Sequence, residues 1–208
     1  HGAIEAGRAE GVIQRRGGAR NLDHRVGTTP FSKIADPFGN FAGTLATRGS
    51  IKAFELMGSL AGVLQADVNI DRARISGDIE ETGVIQVGRR FNRFDLDAGD
   101  VKGLVQAGSA GRWQFDAAGT AGAELVVFDA VGSVSFSGDF DGRMEFGAVE
   151  RKLEITGTLG ATADISVDGD ASRVTLDGGT NPGGRVAIGG RVDRIETGGT
   201  HSGSIAVR

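Results

Sequence analysis

A chain of 208 residues with 39% hydrophobic side chains is long enough to bury a core and too apolar for a flexible linker. Its 36 glycines, about 17% of the residues and roughly twice the usual share, follow no Gly-X-Y triplet, which excludes collagen. Zero cysteines exclude disulfide frameworks, Cys-ligated zinc and iron–sulfur clusters, while 23 basic against 27 acidic residues, a net charge of −4, offer nucleic acid no basic face.

From the N-terminus, residues 1–40 read as an irregular coil. No secretory leader is visible, and a start at His1 reads as a processed product or an excerpt. Ile4/Ala6 and Ile13 resemble one coil. Residues 21–40, with His24, Pro30 and Pro37, read as a loop projecting from it, because proline lacks the N–H that a central strand requires.

From about Phe41 a repeat sets in and continues to Arg208. Apolar pairs separated by one residue occur at Phe54/Leu56, Ala73/Ile75, Phe94/Leu96, Trp113/Phe115, Val134/Phe136, Leu153/Ile155 and Val174/Leu176, then at Ile195 with Thr197. The steps are 19, 21, 19, 21, 19, 21 and 21 residues. A second series lies between them: Leu64/Ala66, Ile85/Val87, Val105/Ala107, Leu125/Val127, Met144/Phe146, Ile165/Val167, Val186/Ile188 and Ile205/Val207. Leu45/Thr47 precedes Leu64 by 19 residues. Each half-repeat reads apolar-x-apolar-x and often continues Gly-x-apolar, as in Val134-Ser135-Phe136-Ser137-Gly138-Asp139-Phe140. Alternation with period two marks a strand with one buried face, and glycine after it marks a corner where positive φ or close backbone approach is tolerated. No segment sustains a helical pattern.

Two short strands and glycine corners every twenty residues or so predict an all-β fold, a parallel β-solenoid (β-helix) with about 20 residues per coil. Residues 1–40 form its irregular N-terminal coil with the projecting loop, and residues 41–208 its repeats. Eight to ten coils stacked ~4.8 Å apart make a rod of roughly 40–50 Å. The competing layout is an antiparallel meander closed into a sandwich or barrel, which does not require constant spacing. The apolar runs are far shorter than the ~18 residues of a spanning helix, so the chain reads as not transmembrane.

The chemistry on offer is sparse. His1, His24 and His201 are scattered, without metal-ligand spacing, and read as surface residues. Asp95/Asp97/Asp100, Asp139/Asp141 and Asp168/Asp170 are Asp-x-Asp groupings near glycine corners that admit calcium, although the same aspartates serve turns by bonding their own backbone. Asp97, Asp116 and Asp177 each follow an apolar pair by one position and are the carboxylates a polysaccharide-acting solenoid would use. Such grooves also carry aromatic platforms. There is no Tyr, and Trp113 with most Phe falls in the inward register. No catalytic, cofactor or metal residue is assigned.

The half-repeats Gly77-Asp78-Ile79, Gly132-Ser133-Val134, Gly138-Asp139-Phe140 and Gly203-Ser204-Ile205 resemble repeat regions of large bacterial surface and secreted proteins of the adhesin and autotransporter kind. The resemblance covers residues 41–208 and implies a structural, non-enzymatic extracellular scaffold, fibre or surface-layer element that self-associates through uncapped terminal coils. The same texture resembles bactofilins, which implies a cytoplasmic cytoskeletal polymer. A polysaccharide-acting β-helix enzyme is the third reading.

Overall fold

The computed structural model describes residues 39–208 and the course of three earlier strands, Val12–Gln14, Asp23–Val26 and Lys33–Asp36. The described residues contain no helix. Every strand pairing is parallel and joins residues about one coil apart, so the chain is a β-solenoid of about 8 turns.

Each coil has three sides. On the first, single residues bridge from coil to coil: Phe41 to Leu60, Leu60 to Ile79, Ile79 to Val101, and after Gly119 from Phe140 through Leu159 and Thr180 to His201. On the second, Leu45, Leu64, Ile85, Val105, Leu125, Met144, Ile165, Val186 and Ile205 stand in register. On the third, Phe54, Ala73, Phe94, Trp113, Val134, Leu153, Val174 and Ile195 do the same. Up to Ile188 the apolar pairs of both series are buried, and between them every second side chain faces outward, as alternation requires. The Gly-x-apolar tails, Phe140 and Leu159 among them, supply the first-side column.

In mid-rod the second and third sides merge into single strands, Val84–Leu96, Leu104–Phe115, Glu124–Phe136 and Arg143–Ile155, with register shifts where they turn the corner. The variation in period arises mainly at another corner, between the first and second sides. Three residues separate Leu60 from Leu64 there, but five separate Ile79 from Ile85, the extra pair being the turn at Glu81 and Thr82. Turns at Ala121 and Gly122, at Ala161 and Thr162, and at Pro182 and Gly183 lengthen their coils in the same way. Each is closed by one backbone bond, such as Gly83 N–H to the Glu80 carbonyl at 2.7 Å.

Aromatic residues gather in the mid-rod core. Phe91, Phe94, Trp113, Phe115, Phe136 and Phe140 form a continuous chain of ring contacts, with Phe115 and Phe136 stacked at 4.2 Å between centroids. The Trp113 indole N–H donates to the Phe91 carbonyl at 3.4 Å, which gives the buried ring its polar partner. The glycines serve stacking more than turning, since among the described residues only Gly99, Gly179, Gly183 and Gly199 have positive φ. At Gly111 a Cβ would lie 2.1 Å from the Asn92 carbonyl oxygen of the coil beneath. At Gly119 it would meet Cδ2 of Phe140 at 2.3 Å, so that ring occupies the space its column leaves open.

The register extends toward the N-terminus. Val12–Gln14 pairs with Lys33–Asp36, which pairs with Ile51–Leu56, and Asp23–Val26 pairs with Thr44–Thr47, setting His24 opposite Leu45. Two of these strands fall inside residues 21–40, expected to project as a loop; Pro30 and Pro37 are in neither strand. His1, Ile4, Ala6, Pro30 and Pro37 lie outside the described residues.

Phe136→Ala should cost about 3–5 kcal/mol in chemical denaturation, from lost transfer energy plus the cavity under Phe115. Ser135, whose hydroxyl donates to Glu154 Oε2 at 2.8 Å on a half-exposed face, should cost no more than about 1 kcal/mol as Ala. Equal sensitivity would refute the register. Gly119→Ala should lose about 1–3 kcal/mol through overpacking, and Phe140→Leu in the same chain should restore part of it. A Gly119→Ala protein as stable as the parent would show that the ring does not fill that gap.

Candidate functional site

The outer surface of the third side gathers the densest charge. In register on neighbouring coils stand Arg72, Arg93 and Arg112, and beyond Ser133 the column continues with Lys152, Arg173 and Arg194. Two residues along each strand runs a mixed column of Glu55, Arg74, Asp95, Gln114, Ser135, Glu154, Thr175 and Glu196. Basic and acidic members of one strand meet side by side: Arg93 Nε bonds Asp95 Oδ2 at 2.7 Å and Lys152 Nζ bonds Glu154 Oε2 at 2.6 Å. The part-exposed Lys152–Glu154 pair contributes at most about 1 kcal/mol, whereas Asp95 is 8% exposed and keeps Arg93 as the partner of a buried charge.

Around Asp95 these columns enclose a groove of about 220 Å³ lined by Arg72, Arg74, Arg93, Asp95, Asp97 and Asp116. Asp97 is held by Arg74, with the Ser76 hydroxyl 3.4 Å away. The side chains of Asp116 and Arg72 have no hydrogen-bond or ion-pair partner among the described residues. Asp97 and Asp116, the carboxylates expected to share a face, do lie in one groove on successive coils. Asp177 stands three coils further along, ~14 Å away at the solenoid rise, and does not join them. Asp95 and Asp97 are each engaged by an arginine, which leaves Asp116 as the one acid of the groove whose side chain is not paired.

The Asp-x-Asp groupings have another use. Asp139 Oδ1 accepts the Thr158 N–H at 2.7 Å, Asp141 Oδ1 the Thr162 N–H at 2.7 Å, and Asp170 Oδ1 the Arg191 N–H at 2.8 Å. These carboxylates fasten the next coil, where the expected turn role was a bond to their own backbone. Asn40 to Ser59 and Ser59 to Asp78 are the same staple in uncharged form. Asp95 and Asp97 are occupied by arginines, and among the described residues no group of three or more His, Asp or Glu gathers as metal ligands. His201 is exposed, with Nδ1 3.5 Å from the Thr180 hydroxyl.

Sequence reasoning missed Phe128, which is 64% exposed. The signal was present: with Leu125 and Val127 facing inward, alternation turns Val126 and Phe128 outward, but an unbroken apolar run reads as core.

Compared with known proteins, the chain matches no family model, no curated protein and no solved structure.

Asp78 forms the best-defined electrostatic staple. Its Oδ2 accepts from Lys102 Nζ at 2.8 Å and its Oδ1 from the Asp100 N–H at 2.8 Å. The lysine contact first, then the backbone N–H, holds its carboxyl below the usual range against partial burial, and Lys102 is raised by the same contact. A lowered carboxylate stabilises the fold above the unfolded pKa, and that contribution disappears as pH falls through the folded value. Asp78→Asn keeps the acceptor for Asp100 and removes the charge. Its urea midpoint should lie below the parent's at pH 7, with the gap closing below about pH 4. A gap unchanged into acid would show that the ion pair contributes nothing.

Proposed function

We propose that this chain is a structural scaffold, a rigid solenoid rod that acts by shape and by joining further coils into a fibre or surface array at or outside the bacterial cell surface. The continuity of the three columns carries this reading. Each coil offers the next the same cross-section, so a coil of this design seats on any other of the same design. At the last described coil Ile195 and Val207 continue the third- and second-side columns, 38% and 49% exposed, and Ile205 packs half-buried beside them. A coil added there pairs backbone groups and covers apolar surface together, whether it comes from the same chain or another copy. Contact between unlike ends of two copies is heterologous and propagates as a filament when it does not close. The resemblance of the Gly-Asp-apolar and Gly-Ser-apolar half-repeats to adhesin-like and autotransporter-like regions supports the extracellular placement.

Negative-stain images and light scattering of the purified 208-residue chain should show fibres whose length grows with concentration, and Val207→Lys should shorten them. A monodisperse monomer across a wide concentration range would remove self-assembly from the proposal. Recovery of the protein in the cytoplasmic fraction, with filaments intact, would replace the extracellular scaffold by a bactofilin-like polymer.

A further inference from the structure

Over three coils, before Glu124 and Arg143 enter the same column, the outer surface of the second side is uncharged, unlike the third side. Val63, Val84 and Leu104 stand in one register column, and two residues along, Gln65, Gln86 and Gln106 stand in another, all half-buried. Where the strands reach the corner, the next position is Gly88, then Gly108, then Phe128, so one large ring rises from a ledge of glycines. Phe128, Gly88, Asp67 and the three glutamines line a groove of about 210 Å³. The amides are partly engaged with each other. Gln65 Nε2 donates to Asp67 Oδ1 at 3.2 Å and Gln86 Nε2 to Gln106 Oε1 at 3.4 Å, leaving further N–H and carbonyl positions directed outward.

We infer that this groove binds a neutral saccharide chain lying along the rod axis. A sugar ring presents C–H faces to an aromatic or aliphatic wall and hydroxyls, both donors and acceptors, to amides, and the groove supplies both. The amides recur over three successive coils at the coil rise of ~4.8 Å, with Val126 and Phe128 on the fourth, so a polymer running along the column meets an amide on each of three coils and then the ring. Charge selects among saccharides. No Lys or Arg lines the groove and Asp67 stands at its rim, so an acidic polysaccharide finds a repelling carboxylate and no cation, whereas an uncharged chain pays no such penalty. Nothing in the coil stacking requires the ring, because glycine fills the same position on the two preceding coils.

The inference goes beyond the scaffold reading and does not depend on assembly. Affinity electrophoresis of the parent through gels holding a soluble β-glucan, an α-glucan, a galactomannan or a polyuronate tests it, with chitin oligosaccharides added in solution as a fifth probe. At least one neutral saccharide should retard or bind the parent. Its apparent affinity should fall about tenfold or more in Phe128→Ala and measurably in Gln86→Ala, and should stay unchanged in Arg72→Ala on the third side. Because Phe128 is exposed, its alanine variant should keep the parent's melting temperature, which separates loss of binding from loss of fold. No response to any neutral probe, equal response from parent and Phe128→Ala, or stronger retention by the polyuronate would each overturn the inference. So would parent dimers abolished by Phe128→Ala without saccharide binding, since the groove would then serve a second copy.

Discussion

Coil-on-coil stacking is the constraint on which the rest of the structure depends. Phe41 N–H bonds the Ser59 carbonyl, and Leu60 N–H bonds the Asp78 carbonyl, both at 2.8 Å, and similar bonds recur through the corners as well as the strands. A strand of four to seven residues without a hairpin partner buries nothing alone, so each coil takes its backbone partners and apolar cover from its two neighbours. That requirement explains why residues one coil apart match in character, why corner side chains such as Asn40, Ser59 and Asp139 reach across coils, and why glycine stands where backbones approach closely.

The stacking also made much of the fold legible. A column must repeat, and repetition leaves a period that survives even where residue types drift from Phe to Ala to Trp, as at Phe54, Ala73, Phe94 and Trp113. The first side is harder to see because it contributes one inward residue per coil, and one residue has no alternation of its own; Phe140 reads as the Gly-x-apolar continuation of the preceding strand. The alternating 19- and 21-residue steps were visible, but not their cause, since two added turn residues carry no hydrophobic signal. Asp97 and Asp116 could be placed on one face from their positions alone. That Arg74 engages Asp97, and that Asp78 and Asp139 bond the following coil, depends on distances between coils that no local motif encodes.

Inside, the three columns are nearly uniform; outside, the sides diverge. The third side sets a mostly basic column beside a mixed one, with ion pairs such as Arg93–Asp95 and Lys152–Glu154 between them, while the second side keeps a neutral stretch of valine, leucine and glutamine ending at Phe128. A strand alternates its faces, so outward positions change without disturbing inward ones. One rod therefore holds surfaces of different chemistry at fixed separation and in fixed orientation, with the arginine groove and the glutamine groove on different sides of the same coils.

The two-residue turns have a broader meaning. Glu81 and Thr82, Ala121 and Gly122, Ala161 and Thr162, and Pro182 and Gly183 all enter at the corner between the first and second sides, and in each case the columns before and after continue in register. Length at that edge is decoupled from the core. A lineage of such chains can acquire or shed sequence there without renegotiating its packing, and the lengthened coils form a row along one edge of the rod where novelty is structurally cheap.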